Sequence, residues 1–250
     1  MKCLIIAAGH GSRLRSLAES KPLAPVGGVP LIEHVVRLAK AGGATEFLVV
    51  TGHQAERVET FLAGLAERLG TRIEAVRTAD WDLPNGHSVV TGAGRIDGDY
   101  LLMMADHLFD PEIVARLLLA REGRARGITL AVDRAIASPG LDLDDATKVQ
   151  TAGDGTILRI GKRLETYNAI DTGLFLATPA LREAILASVA EGGAGSLSEG
   201  VQRLADRGQA DTVDVGSLWW ADLDDPPSLR AAEEQLQSGR AGRWMADNAA

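Results

Sequence analysis

The chain has 250 residues, 46% of them hydrophobic and 24% charged, and a formal net charge of −8. That is enough for one large α/β domain with a substantial core, while the acidic balance argues against a nonspecific nucleic-acid binder and leaves phosphate recognition to a local cationic pocket. The single cysteine, Cys3, excludes an intrachain disulfide and a cysteine-based metal cluster.

In chain order, short apolar runs alternate with helical patterns. Strands are predicted over Cys3–Ala8, Glu46–Thr51, Arg72–Arg77, Tyr100–Ala105 and Gly127–Asp133. Helices are predicted over Pro30–Ala41, Gln54–Leu69, His87–Arg95 and Pro111–Arg126. The second helix has the clearest period, with Val58, Phe61, Leu62, Leu65 and Leu69 on one face. Pro30 and Pro111 suit first-turn positions; Gly42-Gly43 and Gly70 suit helix stops. This alternation predicts an α/β fold with a mostly parallel central sheet covered by helices on both faces.

After Asp133 the pattern changes. Lys148–Gln150, Ile157–Ile160 and Gly173–Ala177 read as short strands, followed by helices over Pro179–Ala190 and Leu197–Asp206. A strand at Asp211–Val215 precedes Trp219-Trp220, and a last helix, Ser228–Gln237, has no evident partner. The expected organisation is one domain, with a nucleotide-binding half over 1–134, an acceptor-binding half over 135–238 and a small polar tail over 239–250. No run reaches the length of a membrane span, and no basic segment followed by an apolar one opens the chain. A cytoplasmic protein without membrane insertion is expected.

The stretch "AAGHGSRL" ends the first strand on Gly9-His10-Gly11 and then supplies Arg13. A Gly-x-Gly turn lets backbone amides approach phosphate oxygens closely. The dinucleotide-binding pattern needs a third glycine three residues after Gly11, where Leu14 stands, and no Gly-Lys-Ser/Thr closes a Walker-type loop. On its own the turn is equally a tight strand-to-helix connection. Lys21, before Pro22-Leu23, adds a second cation.

Acidic counterparts come from two places. "LLMMADH" sets Asp106 at the end of a hydrophobic strand, where open α/β sheets bind ligands. "WWADLDD" presents Asp222 and Asp224 two residues apart, on one face if the chain is extended. Asp106 with this pair suits Mg²⁺, a hard cation that seeks carboxylates. The plain alternatives are a cap for Asp106 and a solvated acidic loop for Asp222, Asp224 and Asp225. None of His10, His34, His53, His87 and His107 has the i, i+4 spacing of a helical zinc motif. All five read as loop or surface residues, with His10 and His107 near the site.

"AAGHGSRL" followed by "KPLAPVGGVPLIEHVV" resembles the signature of nucleotidyltransferases that make nucleoside-diphosphate sugars and alcohols. The resemblance implies a Rossmann-like nucleotidyltransferase fold. It also implies that Ala7, Ala8, Gly9, Gly11, Ser12 and Arg13 hold a triphosphate with Asp106, that Arg13 and Lys21 offset charge at the reaction centre, and that Asp106, Asp222 and Asp224 serve the metal. "LPNGHSVV" carries a tight Asn85-Gly86 turn. It stands where related enzymes read uracil or thymine, and its form is closer to the cytidylyltransferase branch. Asn85, Gly86 and Ser88 are thus expected on the nucleotide. "DATKV", "ILRIGKRL", "AIDTGLF" and "LWWADLDD" follow in order and look most like CTP:inositol-1-phosphate cytidylyltransferases.

That likeness implies that Lys162 contacts the incoming phosphate and that His107, Thr147, Lys148, Asp171 and Thr172 line the acceptor pocket. The expected partners are CTP and a small phosphorylated alcohol, with inositol 1-phosphate favoured. Family members fuse this domain to a membrane transferase; here the product is expected to pass to a separate CDP-alcohol transferase, and a homodimer is compatible with the reading. The rival readings are a phosphocholine, aminoalkyl-phosphonate or sugar-1-phosphate acceptor, a regulatory subunit without turnover, and a dehydrogenase.

Overall fold

Strand β1 (Lys2–Ala7) divides the core by its alternation. Cys3, Ile5 and Ala7 face one buried cluster; Leu4, Ile6 and Ala8 face the other. A strand buried on both faces needs such a continuous apolar run, because each face must be covered by its own layer of helices. A computed structural model describes residues 1–11, 19–124, 127–136 and 142–237.

After β1 come the short hairpin strands β2 (Pro25–Val26) and β3 (Val29–Pro30), helix α1 (Leu31–Ala41), β4 (Glu46–Thr51), α2 (Ala55–Leu69), β5 (Arg72–Arg77) and α3 (Gly86–Ala93). Then follow β6 (Tyr100–Met104), β7 (His107–Phe109), α4 (Pro111–Arg124) and β8 (Ile128–Asp133). The second half holds β9 (Lys148–Thr151), β10 (Ile157–Gly161), β11 (Ala169–Ala177), α5 (Pro179–Ala190), α6 (Leu197–Ala205), β12 (Ala210–Asp214), β13 (Trp220–Asp222) and α7 (Pro226–Gln237).

The central sheet has the order β10-β9-β11-β6-β1-β4-β5, with β8 pairing both β11 and β12. Strands β6, β1, β4 and β5 are mutually parallel, as their helical crossovers require. Strand β11 runs antiparallel to β6 and β8 and turns the sheet toward the second half. Side chains of α1, α2, α4 and α7 cover one face, and those of α3, α5 and α6 cover the other. The expected α/β sheet with two helical layers is what forms. Helix α7 finds its partner there: Leu229, Ala232 and Leu236 join the α1/α4 cluster. Among the described residues, no helix is long and apolar enough to cross a membrane.

Two small ladders were not legible in the sequence. Pro30 closes the β2/β3 hairpin and caps α1 rather than lying inside it. Strand β7 pairs antiparallel with β13, placing Asp222 opposite His107. Both ladders are too short for alternation to register, and β13 pairs with a strand more than about 100 residues earlier in the chain.

Candidate functional site

The carboxyl ends of β1 and β6 open into a cavity of about 270 Å³ lined by Ala7, Gly9, Gly11, Lys21, Asp106 and Asp224. Gly11 has φ +58°, and a Cβ there would lie 2.3 Å from the Cβ of Lys21. Only glycine lets the lysine pass so close. Lys21 starts a 3-10 turn through Leu23, closed by Ala24 N–H donating to Lys21 O at 3.0 Å. Its Nζ donates to Asp106 Oδ2 at 2.6 Å and to Asp224 Oδ1 at 2.5 Å. Burial alone would lower the ammonium's pKa, but these two carboxylates hold it above the usual lysine value. Ala8 is buried, and its carbonyl accepts from His53 N–H at 3.0 Å. Ser12 and Arg13 lie outside the described residues.

Asp106 is shared. Its second oxygen accepts from His107 Nδ1 at 2.8 Å. Burial would raise its pKa, yet Lys21 and His107 hold it well below the carboxylate range. Leu223 N–H donates to Asp106 O at 2.9 Å, extending the β7/β13 ladder and carrying Asp224 across to Lys21. Asp222 Oδ2 stands 3.8 Å from His107 Nε2. Burial and the neighbouring Asp106 and Asp224 charges outweigh His107 and raise Asp222 to about 6. His107 goes to about 9: burial opposes its charge, but Asp222, Asp106 and Asp171 favour it. Asp171 is raised to about 6, chiefly by burial. The His107 ring runs parallel to that of Trp220, with centroids 6.3 Å apart. Its other neighbour is Gly173, where a Cβ would meet His107 Cδ2 at 2.6 Å. Trp219 and Trp220 pack against the core, and Trp220 Nε1 donates to Asp133 at 2.9 Å.

This chemistry fits a divalent cation. One ligand atom each from Asp106, His107 and Asp222 lies within 4.8 Å of the others, and Asp224 stands across Lys21. Clustered carboxylates, one with a raised pKa, are stabilised when a hard cation is placed among them. His107 thus stands with the metal candidates as well as beside the acceptor groove. His34, expected at the surface, is instead buried in α1 and donates to Val26 O at 2.9 Å.

A larger groove, about 1170 Å³, continues from Gly9 and Asp106 in two directions. Toward α3 it is lined by Trp81, Leu83, Asn85 and Ser88. Gly86 lies beneath this wall, where a Cβ would fall 2.2 Å from Gly195 O. Trp81 is more than a third exposed and packs against His53 and His10. Trp81 is not among the residues expected at the site, although a tryptophan four residues before the Asn-Gly turn is a usable signal. Toward β11 the groove is lined by Asp142, Asp145, Thr147, Lys162 and Asp171. Lys162 Nζ pairs with Asp145.

Two expected acceptor residues stand off this wall. Thr172 is fully buried, and its hydroxyl donates to Ala131 O at 2.8 Å. It holds β11 where the register shifts between Asp171 and Phe175. Lys148 donates to Lys162 O at 2.8 Å and lies over the Tyr167 ring.

The sequence profile of the MobA-like NTP transferase domain matches residues 3–207. A bifunctional IPC transferase and DIPP synthase of Rubrobacter xylanophilus is 36% identical over 93% of this chain and 51% of its own length. Its namesake in Thermococcus kodakarensis is 30% identical over 94% of this chain and 50% of its own length. The chain therefore spans about half the length of these curated relatives. The solved inositol-1-phosphate CTP transferase of T. maritima superposes with a TM-score of 0.82 at 24% identity, covering 95% of this chain and 96% of that one. At that identity the superposition speaks for the fold.

Proposed function

The chain belongs to the MobA-like NTP transferase family and is a nucleotidyltransferase, and from that premise we propose that it joins CTP to a phosphorylated alcohol, inositol 1-phosphate in first place, releasing pyrophosphate. The observation that carries this reading is Lys21 held between Asp106 and Asp224 beside the Gly9–Gly11 turn. A cation, two carboxylates and a glycine turn are what a metal-bound triphosphate needs in one place.

In the proposed reaction a phosphate oxygen of the acceptor attacks the α-phosphorus of CTP. A new P–O bond forms, the α–β bridging bond breaks, and its electron pair leaves with pyrophosphate. The acceptor phosphate is largely ionised near neutral pH, so no general base is required. The task is to align two polyanions and offset their charge. Gly9 and Gly11 leave room for the phosphates, Lys21 faces the charge that builds on them, and Lys162 receives the acceptor's phosphate. Asp106, Asp222 and Asp224 would hold Mg²⁺, which neutralises phosphate charge and orients the triphosphate when bound. Asp171 and Thr147 offer acceptors and a hydroxyl to a polyol.

The two tandem-enzyme relatives, named for IPC and DIPP chemistry, support an inositol acceptor. A CDP-alcohol is an activated phosphoalcohol, so the next step in sequence is transfer to a second hydroxyl compound by a CDP-alcohol transferase. A cytoplasmic location suits CTP as substrate. Pyrophosphate release from CTP, Mg²⁺ and a panel of phosphoalcohols tests the reading; no release with any acceptor would overturn it.

A further inference from the structure

Asn85 opens α3 on the groove wall beside Trp81 and Ser88. Its side-chain oxygen accepts a hydrogen bond from the backbone N–H of Leu197 at 3.0 Å. A backbone N–H can only donate, so the amide must present its oxygen to Leu197 and its NH₂ elsewhere. That nitrogen has no hydrogen-bond partner among the described residues. Asn85 therefore offers the groove a donor.

The lock comes from the far half of the chain. Leu197 is the first residue of α6, and its N–H is one of the amides that a helix start leaves without an intrahelical partner. Around it the turn is rigidly organised. Ser196 and Glu199 form a capping box, and Glu199 also accepts from the N–H groups of Ala194 and Gly195. His87 Nε2 donates to Ala194 O at 3.1 Å, and Gly86 packs against Gly195 O. The loop before α6 thus clamps the Asn-Gly turn at three points.

Resting on the reading that CTP lies with its phosphates at Gly11 and Lys21, we infer that Asn85 Nδ2 donates to N3 of the cytosine, and that the α6 N-terminus fixes this selectivity by holding the Asn85 oxygen. Cytosine presents N3 and O2 as adjacent acceptors. Uracil has an N–H at position 3, which would face the Asn85 donor with a second donor. Asn85 reads the base; Leu197 is a positioning residue that acts through it.

The test compares kcat/KM for CTP and UTP in the wild type, Asn85→Asp, Leu197→Pro and Leu197→Ala. Asn85→Asp keeps an oxygen for Leu197 but replaces the donor with an acceptor. Its CTP-to-UTP ratio should fall about tenfold or more, the scale of one misplaced hydrogen bond, with thermal unfolding unchanged. Leu197→Pro removes the one N–H at a helix position that accepts proline; Leu197→Ala shortens the same side chain and keeps the N–H. The ratio should fall in the proline variant and hold in the alanine one. A wild-type ratio in Asn85→Asp would overturn the inference, as would equal ratios in the two Leu197 variants. Should the proline variant fail to fold, Asn85→Asp decides alone. Pyrophosphate release from neither nucleotide by the wild type would overturn the cytidylyltransferase reading together with this one.

Discussion

Lys21 Nζ lies 2.6 Å from Asp106 Oδ2, although 85 residues separate them, and Asp224 approaches the same nitrogen from the far end of the chain. One ammonium therefore ties the phosphate turn to both acidic segments. Lys21→Met should lower kcat/KM by about 10² or more, because the lost charge faces the bond being cut. The variant also takes one charged partner from each of two carboxylates, Asp106 keeping His107. Since both are roughly a third exposed, the stability loss should be nearer 1–2 kcal/mol than the full value of a broken buried pair. Mg²⁺ should then raise the melting temperature of the variant more than that of the wild type. A folded variant with wild-type turnover would remove Lys21 from the mechanism.

Asp106→Asn and Asp224→Asn should each weaken the dependence of activity on Mg²⁺ concentration by tenfold or more, since a carboxamide keeps the shape and loses the charge a hard cation needs. Titrating pyrophosphate release against Mg²⁺ measures this. Asp224→Asn should retain more activity if Asp222 supplies the nearer ligand, as its place opposite His107 suggests. Unchanged metal dependence in both variants would put the metal elsewhere.

His107 gives the metal-free protein a pH signature. Its pKa rises on folding to about 9, so its stabilisation is fully present below the unfolded value near 6.5 and is lost as pH rises through about 9. Stability in EDTA should fall across that window, by of order 2–3 kcal/mol. His107→Gln should flatten the slope. Denaturant midpoints measured from pH 6 to 10 decide it; identical slopes would mean the imidazole is not charged in the fold.

Gly173 has φ +76° and no room for a methyl beside the His107 ring. Gly173→Ala should cost about 1–3 kcal/mol from the strained backbone alone, and it should displace the imidazole from Asp106. Loss of metal affinity beyond that of a surface glycine variant such as Gly153→Ala is the expected readout. A variant as stable and as metal-responsive as wild type would show that the slot tolerates a side chain.

The parallel half of the sheet was legible because β1, β4 and β6 are buried apolar runs and α2 carries a clear 3.6-residue stripe; β5, mostly exposed at the sheet edge, was legible from its place after α2. Asp106 was legible for a related reason: a carboxylate ending an apolar strand stands where the sheet opens. The β7/β13 ladder was not, because three-residue strands leave no periodic trace and the pairing is long-range. The sequence could therefore name Asp222 and Asp224 but could not say that one faces His107 and the other Lys21. Thr172 shows the opposite limit. The family resemblance implied a pocket hydroxyl at Thr172, yet in β11, where the register shifts, its hydroxyl turns into the sheet, toward Ala131 O. Asn85 was expected on the nucleotide from its motif; only the fold reveals that α6 takes its amide oxygen.

The acceptor is the last question. The groove beyond Asp106 carries Asp142, Asp145 and Asp171 with Thr147, and its cation is Lys162. Lys162 is more than half exposed and paired with Asp145. Such a surface pair is worth little, so an incoming phosphate can take the ammonium and leave the Asp145 carboxylate for a hydroxyl. A polyol monophosphate matches this division of labour: one anion for Lys162, and several hydroxyls for carboxylates that can only accept. A quaternary amine would favour an aromatic cage, but Trp220 is already committed to Asp133 through its indole N–H and stacks on His107. A primary amine would meet the same carboxylates as an ammonium. Catalytic efficiencies on inositol 1-phosphate, phosphocholine and 2-aminoethylphosphonate separate the three. Inositol 1-phosphate should lead by tenfold or more, and Lys162→Ala should raise the acceptor KM while leaving the CTP KM nearly unchanged. A lead for 2-aminoethylphosphonate would mean that the carboxylates recognise an ammonium and would replace the polyol assignment.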